Sequence, residues 1–563
     1  MRYQRFLRAF APACLLICLP VSAFAQTGQL RFDAAALAAA AQSATAQPQA
    51  GQATATRRLS MDEAVKLALE QNLGIRIQRI DPQIQDVGIM QARSFWAPSL
   101  SSGLSRQTQT QQSTSALAGS TTTIDNANFA TQVALNQALP WGANYNAFWN
   151  NSRTTTNNLF VNFVPQINST LQLQYTQPFV RNRSIDQIRQ QVLNSKKARD
   201  LSDIQLASVI TQTSRSVRNA YWDLVFAINN LKAQQQSLAL SQQFLKDNQK
   251  RVEIGTLAPI DIVQAQAEVA SNESGVIVAE AAIKTAQDNL RTLIMDPGQP
   301  DFWTTEFDPS DAASFSEQTL DVDAAVRNAL SKRSDILSAK NSLEQSDVNL
   351  KYYHNQLLPD VNGQLTYNAT AAGGTQLSSV SLANLAAPRS VVSDSGFGSV
   401  LGNVLQSQYP TWTVGIQVAY PLGASTAQAN MARARLQYEQ AQTQMKALEM
   451  NVATQVRLAA RNVNTNQKRV LSARASRELQ EKKLDAEEKK LAAGMSQSFF
   501  VFQAQRDLAQ ARVVEIQAIA DYNKSLVDFE TVQEVPLNGG SGGITTAGSG
   551  AVQAGGSAIV RAQ

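Results

Sequence analysis

Two hydrophobic periods alternate along this sequence. In residues 60–97, Ala64, Leu67, Ala68, Ile75 and Ile77 recur at helical spacing among polar residues. That spacing predicts an amphipathic helix, kinked at Asp81-Pro82 because a proline ring clashes with the preceding turn. Residues 184–254 carry Ile204, Leu206, Val209, Ile210, Val217, Tyr221, Leu224, Ile228 and Leu231 at mixed three- and four-residue steps, which predicts one long helix. A turn at Gly255 leads to another helix over 259–295. The same series returns as 321–358, 424–493 and 498–534, with Gly494 in the turn. At 1.5 Å per residue the long helices reach roughly 105 Å and the short ones roughly 57 Å. Globular helices average about 12 residues, so a compact core cannot use such lengths, whereas a coiled-coil barrel or tube can.

Between the helices the period drops to two. In 129–139 Phe129, Val133, Leu135 and Leu139 alternate with Ala130, Gln132, Asn136 and Ala138. In 143–150 Tyr145 and Trp149 alternate with asparagines, and Phe148 interrupts the pattern. In 167–176 Ile167, Leu171, Leu173 and Tyr175 face away from Asn168, Thr170, Gln172 and Gln174. Segments 361–368 and 411–420 repeat the pattern, the latter with Trp412, Val414, Ile416, Val418 and Tyr420, and 99–108 is a weaker strand. Apolar-out, polar-in strands of about ten residues are the signature of a transmembrane β-barrel. A soluble sandwich would alternate in the same way, but would need more strands. Trp141, Trp149, Trp412, Tyr145, Tyr175 and Tyr420 suit aromatic girdles or ordinary packing.

The order of parts repeats. LSMDEAVKLAL at 59–69 returns as LDVDAAVRNAL at 320–330, Pro98 as Pro359, Pro178 as Pro421, and VQAQ at 263–266 as FQAQ at 502–505. The separation falls from 261 residues (59 to 320) to 243 (178 to 421), so the first copy holds about 18 extra residues, enough for a further hairpin through Pro140-Trp141-Gly142. The expected organisation is a signal peptide (1–25), a flexible linker (26–58), a first repeat (59–297), an inter-repeat linker (298–319), a second repeat (320–535) and a disordered Gly/Ser-rich tail (536–563).

Composition narrows the chemistry. Only 17% of residues are charged, against about 25% in an ordinary soluble domain. Arg2, Arg5 and Arg8, the apolar run Ala11–Val21 and Ala23-Phe24-Ala25 read as a secretory signal. Cys14 and Cys18 lie inside it, so its removal leaves no cysteine, and the formal charge falls from 5 to 5 − 3 = +2. That is no nucleic-acid footprint. His354 is the single histidine, which removes a Ser-His-Asp triad or multi-histidine metal centre. No phosphate-binding glycine loop is present, so neither enzyme activity nor any cofactor is expected. After residue 25 no apolar run is long enough to span as a helix, which leaves a soluble exported protein or an outer-membrane β-barrel.

LSMDEAVKLALEQNLGI at 59–75, the half-helix ending at Pro98, the TQP strand exit at 176–178 and RVEIGTLAPIDIVQAQAEV at 251–269, each repeated once, resemble the TolC-like outer-membrane efflux proteins over about 59–535. The resemblance implies a mainly α fold with transmembrane β: a homotrimer whose α-helical periplasmic barrel is continuous with an outer-membrane β-barrel. It implies outer-membrane lipid around the strands and, at the periplasmic tip, a periplasmic adaptor (membrane fusion) protein and an inner-membrane pump of RND or ABC type. The function it implies is passive conduction for tripartite efflux or type I secretion, gated at the tip. A periplasmic adaptor also has long helical hairpins, but it would set one hairpin beside a globular β-domain. Six strands per chain would make 18 in a trimer where the family has 12, unless the added hairpin lies outside the membrane.

The tip would be built by Gly255, Thr256, Asp261 and Gln264 from the first copy and Gly494, Ser496, Phe500 and Gln503 from the second. A glycine permits the positive-φ reversal between two helices. Family members often carry acidic residues at the positions matching Phe500 and Gln503, so a second-copy acidic ring is missing here. Asp261 could supply three charges per trimer, or could simply complement a helix dipole. Phe499, Phe500 and Phe502 either narrow the mouth or pack between helices. The run EKKLDAEEKK at 481–490 reads as a solvated helix face or an adaptor-docking surface. His354, beside Tyr352 and Tyr353, has no assigned role.

Overall fold

The computed structural model describes residues 56–113, 123–311, 314–380, 387–423 and 425–534. The signal-peptide reading with its two cysteines, most of the 26–58 linker and the 536–563 tail lie outside the described residues.

The chain opens with strand β1 (Thr56–Leu59) and helices α1 (Met61–Gln71), α2 (Leu73–Gln78) and α3 (Asp81–Ser94). Ser60 and Glu63 cap α1 reciprocally, each side chain accepting from the other's backbone N–H. Strands β2 (Ser99–Gln112), β3 (Thr123–Ala138), β4 (Asn144–Thr156) and β5 (Phe163–Pro178) follow. Next come the 67-residue helix α4 (Gln187–Glu253) and the 35-residue helix α5 (Ile260–Ile294). The second half runs β6 (Glu306–Pro309), α6 (Val322–Lys332), α7 (Ser334–Gln356), β7 (Asp360–Leu377), β8 (Val391–Ser395), α8 (Phe397–Leu405) and β9 (Pro410–Ala419). It ends on α9 (Thr426–Ala492) and α10 (Ser498–Val532), which are again 67 and 35 residues long.

Three expectations are corrected. The helix expected over 60–97 breaks at Asn72 as well as before Pro82, and the one over 321–358 breaks at Arg333. Asn72 is extended (φ −61°, ψ 124°), its Oδ1 accepts from the Ile75 N–H and its Nδ2 donates to the Leu293 carbonyl. Arg333 has nearly the same backbone (φ −61°, ψ 134°), and its guanidinium is held by Asp335. The linkers are not structureless throughout: Thr56–Leu59 pairs in parallel with Glu306–Pro309. Polar TRRL carries no strand signal of its own, and its partner is some 250 residues away, so only the tertiary fold reveals this pairing. The excursion between β7 and β9 contains β8 and α8, neither of them expected, although Phe397, Val400, Leu401 and Val404 stand at helical spacing.

Two apolar cores have matching composition by element. One joins Leu59, Ala64, Val65 and Ala68 to Val217, Tyr221, Leu224 and Leu290. The other joins Ala325 and Ala329 to Val452, Val456, Tyr522 and Phe529. Between them α4 meets α10 through Arg218–Glu530 (2.8 Å), Arg215–Asp528 (2.6 Å) and Lys524–Asp223. Tyr221 is the hub of the first core. Its hydroxyl donates to the Asp311 carboxylate at 2.9 Å and accepts from the Asp311 N–H at 3.1 Å, and Met61 N–H donates to the same carboxylate. Burial pushes the Tyr221 hydroxyl far above the ordinary phenol range.

Candidate functional site

One antiparallel sheet carries the strands in the order β2-β3-β4-β5-β7-β9, with short β8 beside the far end of β7. Its register sorts the side chains by face. Leu135, Ala147, Leu173 and Tyr367 stand in one row across β3, β4, β5 and β7, and Val133, Trp149, Leu171 and Ala369 in the next. Trp412 and Val414 extend this face on β9, and Leu100 and Leu104 on β2. The opposite face carries Gln132, Asn150, Thr170 and Thr370 in one row, and Asn146, Gln174, Thr366 and Thr413 in another. It is polar without charge over most of its length, so a sheet curled with this face inward encloses water without strong ion preference. The added hairpin β3–β4 is continuous with the rest of the sheet, and its Gly142 turn has φ +93°, with Asn182 O only 2.6 Å from where a Cβ would sit.

The apolar face has marked ends. Near the helices, Tyr145 and Tyr175 are register partners, and the Trp141 indole N–H donates to the Tyr175 hydroxyl at 3.5 Å. Phe179 lies across Gly363, where a Cβ would meet its ring at 2.7 Å. At the far side, Arg153 and Arg106 flank Phe129 on the same face. Tyr145 to Arg153 is eight residues, about 27 Å along a strand. Tilt shortens that rise, leaving it close to the apolar band of about 25 Å typical of outer-membrane barrels. Trp149 sits between these rows, donating to Ser169 Oγ at 3.0 Å, so it belongs to neither. Over the apolar face, α8 packs Val400 and Val404 on Ile167, Ala369 and Ala371. Gly373 makes that approach possible, since a Cβ there would lie 2.4 Å from Val400 Cγ2.

At the other end, both glycine turns have the same lock. Gly255 (φ +78°) follows α4: its N–H donates to Val252 O, and Thr256 N–H donates back to Arg251 O at 2.8 Å. Gly494 (φ +74°) follows α9: its N–H donates to Leu491 O, and Met495 N–H to Lys490 O at 2.8 Å. These paired bonds are the Schellman arrangement, in which a left-handed residue satisfies the last helical carbonyls.

The expected tip residues cluster at these turns. Thr256 Oγ1 also donates to Arg251 O, Asp261 is half-buried in the first turn of α5, and Gln264 is exposed. Ser496 Oγ donates to Glu487 at 2.9 Å, and Gln503 donates to Asp507 at 2.8 Å. The three phenylalanines separate. Phe502 is 4% exposed, edge-on to Phe244 of α4 at 5.0 Å, so it packs between helices. Phe499 and Phe500 are each about half exposed and edge-on to one another. Asp507 lies one turn beyond Gln503 and is bound by Lys483 at 2.7 Å, which holds its carboxyl below the usual range. The 481–490 run forms ion pairs on its own helix and across to α10, with Leu484 buried beneath it. No group of three or more potential metal ligands exists among the described residues. No helix there is long and apolar enough to cross a membrane.

Comparison with known proteins agrees with this geometry. Residues 320–531 match the family described as outer membrane efflux protein. No curated protein is matched. The fold is similar to that of the Campylobacter jejuni CmeC outer membrane channel (TM-score 0.58, 14% identity, covering 84% of this chain and 85% of that one). It is also similar to the open state of the Neisseria gonorrhoeae MtrE outer membrane channel (TM-score 0.56, 16% identity, 84% and 88%). The outer membrane protein VceC of Vibrio cholerae is similar again (TM-score 0.55, 14% identity, 84% and 96%). The family match thus falls on the second half of the chain, and the fold is that of these outer membrane channels, in line with the resemblance to TolC-like proteins read from the sequence. These relatives are channel proteins, not enzymes.

Proposed function

We propose that three copies of this chain form an outer-membrane channel that passes substrates from the periplasm to the exterior as part of an efflux or type I secretion assembly. The observation that carries this is the sheet: one face polar and almost uncharged, the other mainly apolar over about 27 Å along the strands with Asn151 and Ser169 hydrogen-bonded to each other on it, and both edge strands, β2 and β9, with a neighbour on one side only among the described residues. Unpaired edges are a liability that closure removes. Joining β2 of one copy to β9 of the next closes a barrel of 18 strands from three chains. A second unpartnered surface fits the same closure. Ile77, Ile80, Ile84, Val87 and Met90 form an exposed stripe at helical spacing from α2 through α3, the segment that leads into β2. The equal lengths of α4 and α9, and of α5 and α10, support an internal duplication. So do the two breaks at Asn72 and Arg333, which share one conformation 261 residues apart.

In this reading α4–α5 and α9–α10 extend into the periplasm, and the Gly255 and Gly494 turns meet the adaptor. Phe499 and Phe500 narrow the mouth, and splaying of the inner helices opens it. With Phe500 and Gln503 in place of acids, and Asp507 neutralised by Lys483, cation selectivity at the second-copy tip is weak. A periplasmic adaptor would need a single hairpin on a globular β-domain, which a chain with two helical hairpins and a seven-stranded sheet among the described residues does not fit. Photocrosslinking in cells from Thr256 and Ser496 tests the assembly: an adaptor and an inner-membrane pump are the expected captures. Phe500→Ala is expected to raise single-channel conductance and drug sensitivity; if neither changes, the aromatic constriction is wrong.

A further inference from the structure

A cavity of about 790 Å³ opens where the strands give way to the helices. Four junctions build it. Trp96 comes from just before β2, Ser184 and Ile185 from between β5 and α4, Leu358 from just before β7, and Met431 from the first turns of α9. Val192, Leu193 and Leu350 complete an apolar wall. The charged lining is of one sign: Arg189, Lys196 and Lys351 contribute and no carboxylate does, with Ser184, His354 and Asn355 as further polar groups. Arg189 is committed to Asp186 and three loop carbonyls, and Lys351 to Asp347. Lys196 makes no ion pair among the described residues. The frame is fixed: Asn355 is 5% exposed, accepts from Asn182 N–H at 2.7 Å and donates to Ser184 Oγ. One donor in the lining is unspent. The Trp96 indole N–H is buried without a hydrogen-bond partner, although the backbone carbonyl of the same residue accepts from Gln137. A buried indole N–H ordinarily finds an acceptor.

We infer that this cavity binds an anionic amphiphile, with the acyl chain against Leu193, Leu350 and Met431 and the phosphate or carboxylate head held by Lys196 and the Trp96 N–H. Apolar walls with a few convergent cationic donors are the usual construction for such a ligand. The ligand has two possible sources. A phospholipid of the periplasm-facing leaflet lies at this level if the protein sits in the outer membrane, and that source rests on the proposed function. A soluble amphiphile in transit does not depend on the bilayer.

The test is native mass spectrometry of the full chain in neutral detergent. It is titrated with dioleoyl phosphatidylglycerol, with dioleoyl phosphatidylcholine and, separately, with dodecyl phosphate. The anionic lipid is expected to exceed the zwitterionic one by about tenfold in occupancy, the value of one charge-assisted hydrogen bond. Lys196→Glu is expected to abolish that preference, and Leu193→Trp to lower occupancy by every ligand by filling the cavity. Lys196→Gln, a milder change at the same position, is expected to reduce the preference. Lys482→Glu, on the remote charged helix, is expected to leave it intact. Phosphatidylglycerol that copurifies from membranes assigns the bilayer source; dodecyl phosphate binding to lipid-free protein assigns the soluble one. Equal binding of both lipids, or binding unchanged by both Lys196→Glu and Leu193→Trp, overturns the site. The readout is binding, so a failure here leaves the channel reading standing, and a failure to conduct leaves the site standing.

Discussion

The sheet and the helices of this chain keep their polar groups satisfied in opposite ways. In the sheet, backbone groups pair along six long strands, and the side chains divide into an apolar face and one of Asn, Gln, Ser and Thr. In the helices, backbone groups are satisfied within each segment, and the surface is laced with ion pairs; among the described residues every ion pair joins helices or the turns beside them. A strand facing hydrocarbon cannot afford a charge at mid-depth, whereas a helix in water gains solubility from one at little cost in packing. The difference marks the two solvents for which the chain is built.

Charge placed on the wrong face of the sheet breaks this contrast most severely. Leu173→Lys sets an ammonium in the middle of the apolar band and is expected to cost about 2–4 kcal/mol per protomer, abolishing the heat-sensitive oligomer in outer-membrane fractions. Gln174→Lys, one residue along on the polar face, is expected to assemble normally. The helices respond differently, because their charges are paired. Arg218→Met leaves Glu530 half-enclosed without its cation, and the expected loss is about 2–3 kcal/mol in urea unfolding, reduced from the fully buried case by partial exposure. Replacing both partners with apolar residues should restore most of it.

At the tip the effects are smaller. Gly494→Ala forces a side chain into a left-handed conformation, at about 1 kcal/mol, although no atom lies within 4 Å of the new methyl group. Local opening of the α9–α10 turn, read by hydrogen exchange, is expected to rise without loss of the oligomer. Smallest is the Lys483–Asp507 pair. Because the Asp507 carboxyl titrates below its unfolded value, it stabilises the folded state above the ordinary carboxylate range. That contribution fades as pH falls through its lowered pKa. Asp507→Asn should flatten the stability profile on the acid side by less than about 1 kcal/mol, since the pair is partly solvated, and leave it unchanged near neutrality apart from a constant offset.

Much of this architecture is legible in the sequence because long helices and alternating strands announce their own periods. The turns at Gly255 and Gly494 were visible as glycines between two helical patterns, and their Schellman bonds follow from that position. What stayed hidden has a common cause, which is partnership across distance. Thr56–Leu59 is a strand only because Glu306–Pro309 lies beside it. Phe502 and Phe500 look alike in sequence, and only Phe244 of α4 separates the packed ring from the exposed one. The cavity at the junction draws on four segments between Trp96 and Met431, which no local pattern links.

The central claim, that one face of the sheet meets lipid and the other water, is tested most directly by cysteine accessibility. Both native cysteines precede residue 19, and none occurs in the described chain, so single cysteines can be placed at positions 172, 173, 174, 413 and 414. Intact cells are treated with a membrane-impermeant maleimide small enough to enter the channel. The account predicts labelling at Gln172, Gln174 and Thr413 positions and protection at Leu173 and Val414. Labelling that ignores the alternation, or runs in the opposite phase, would contradict it.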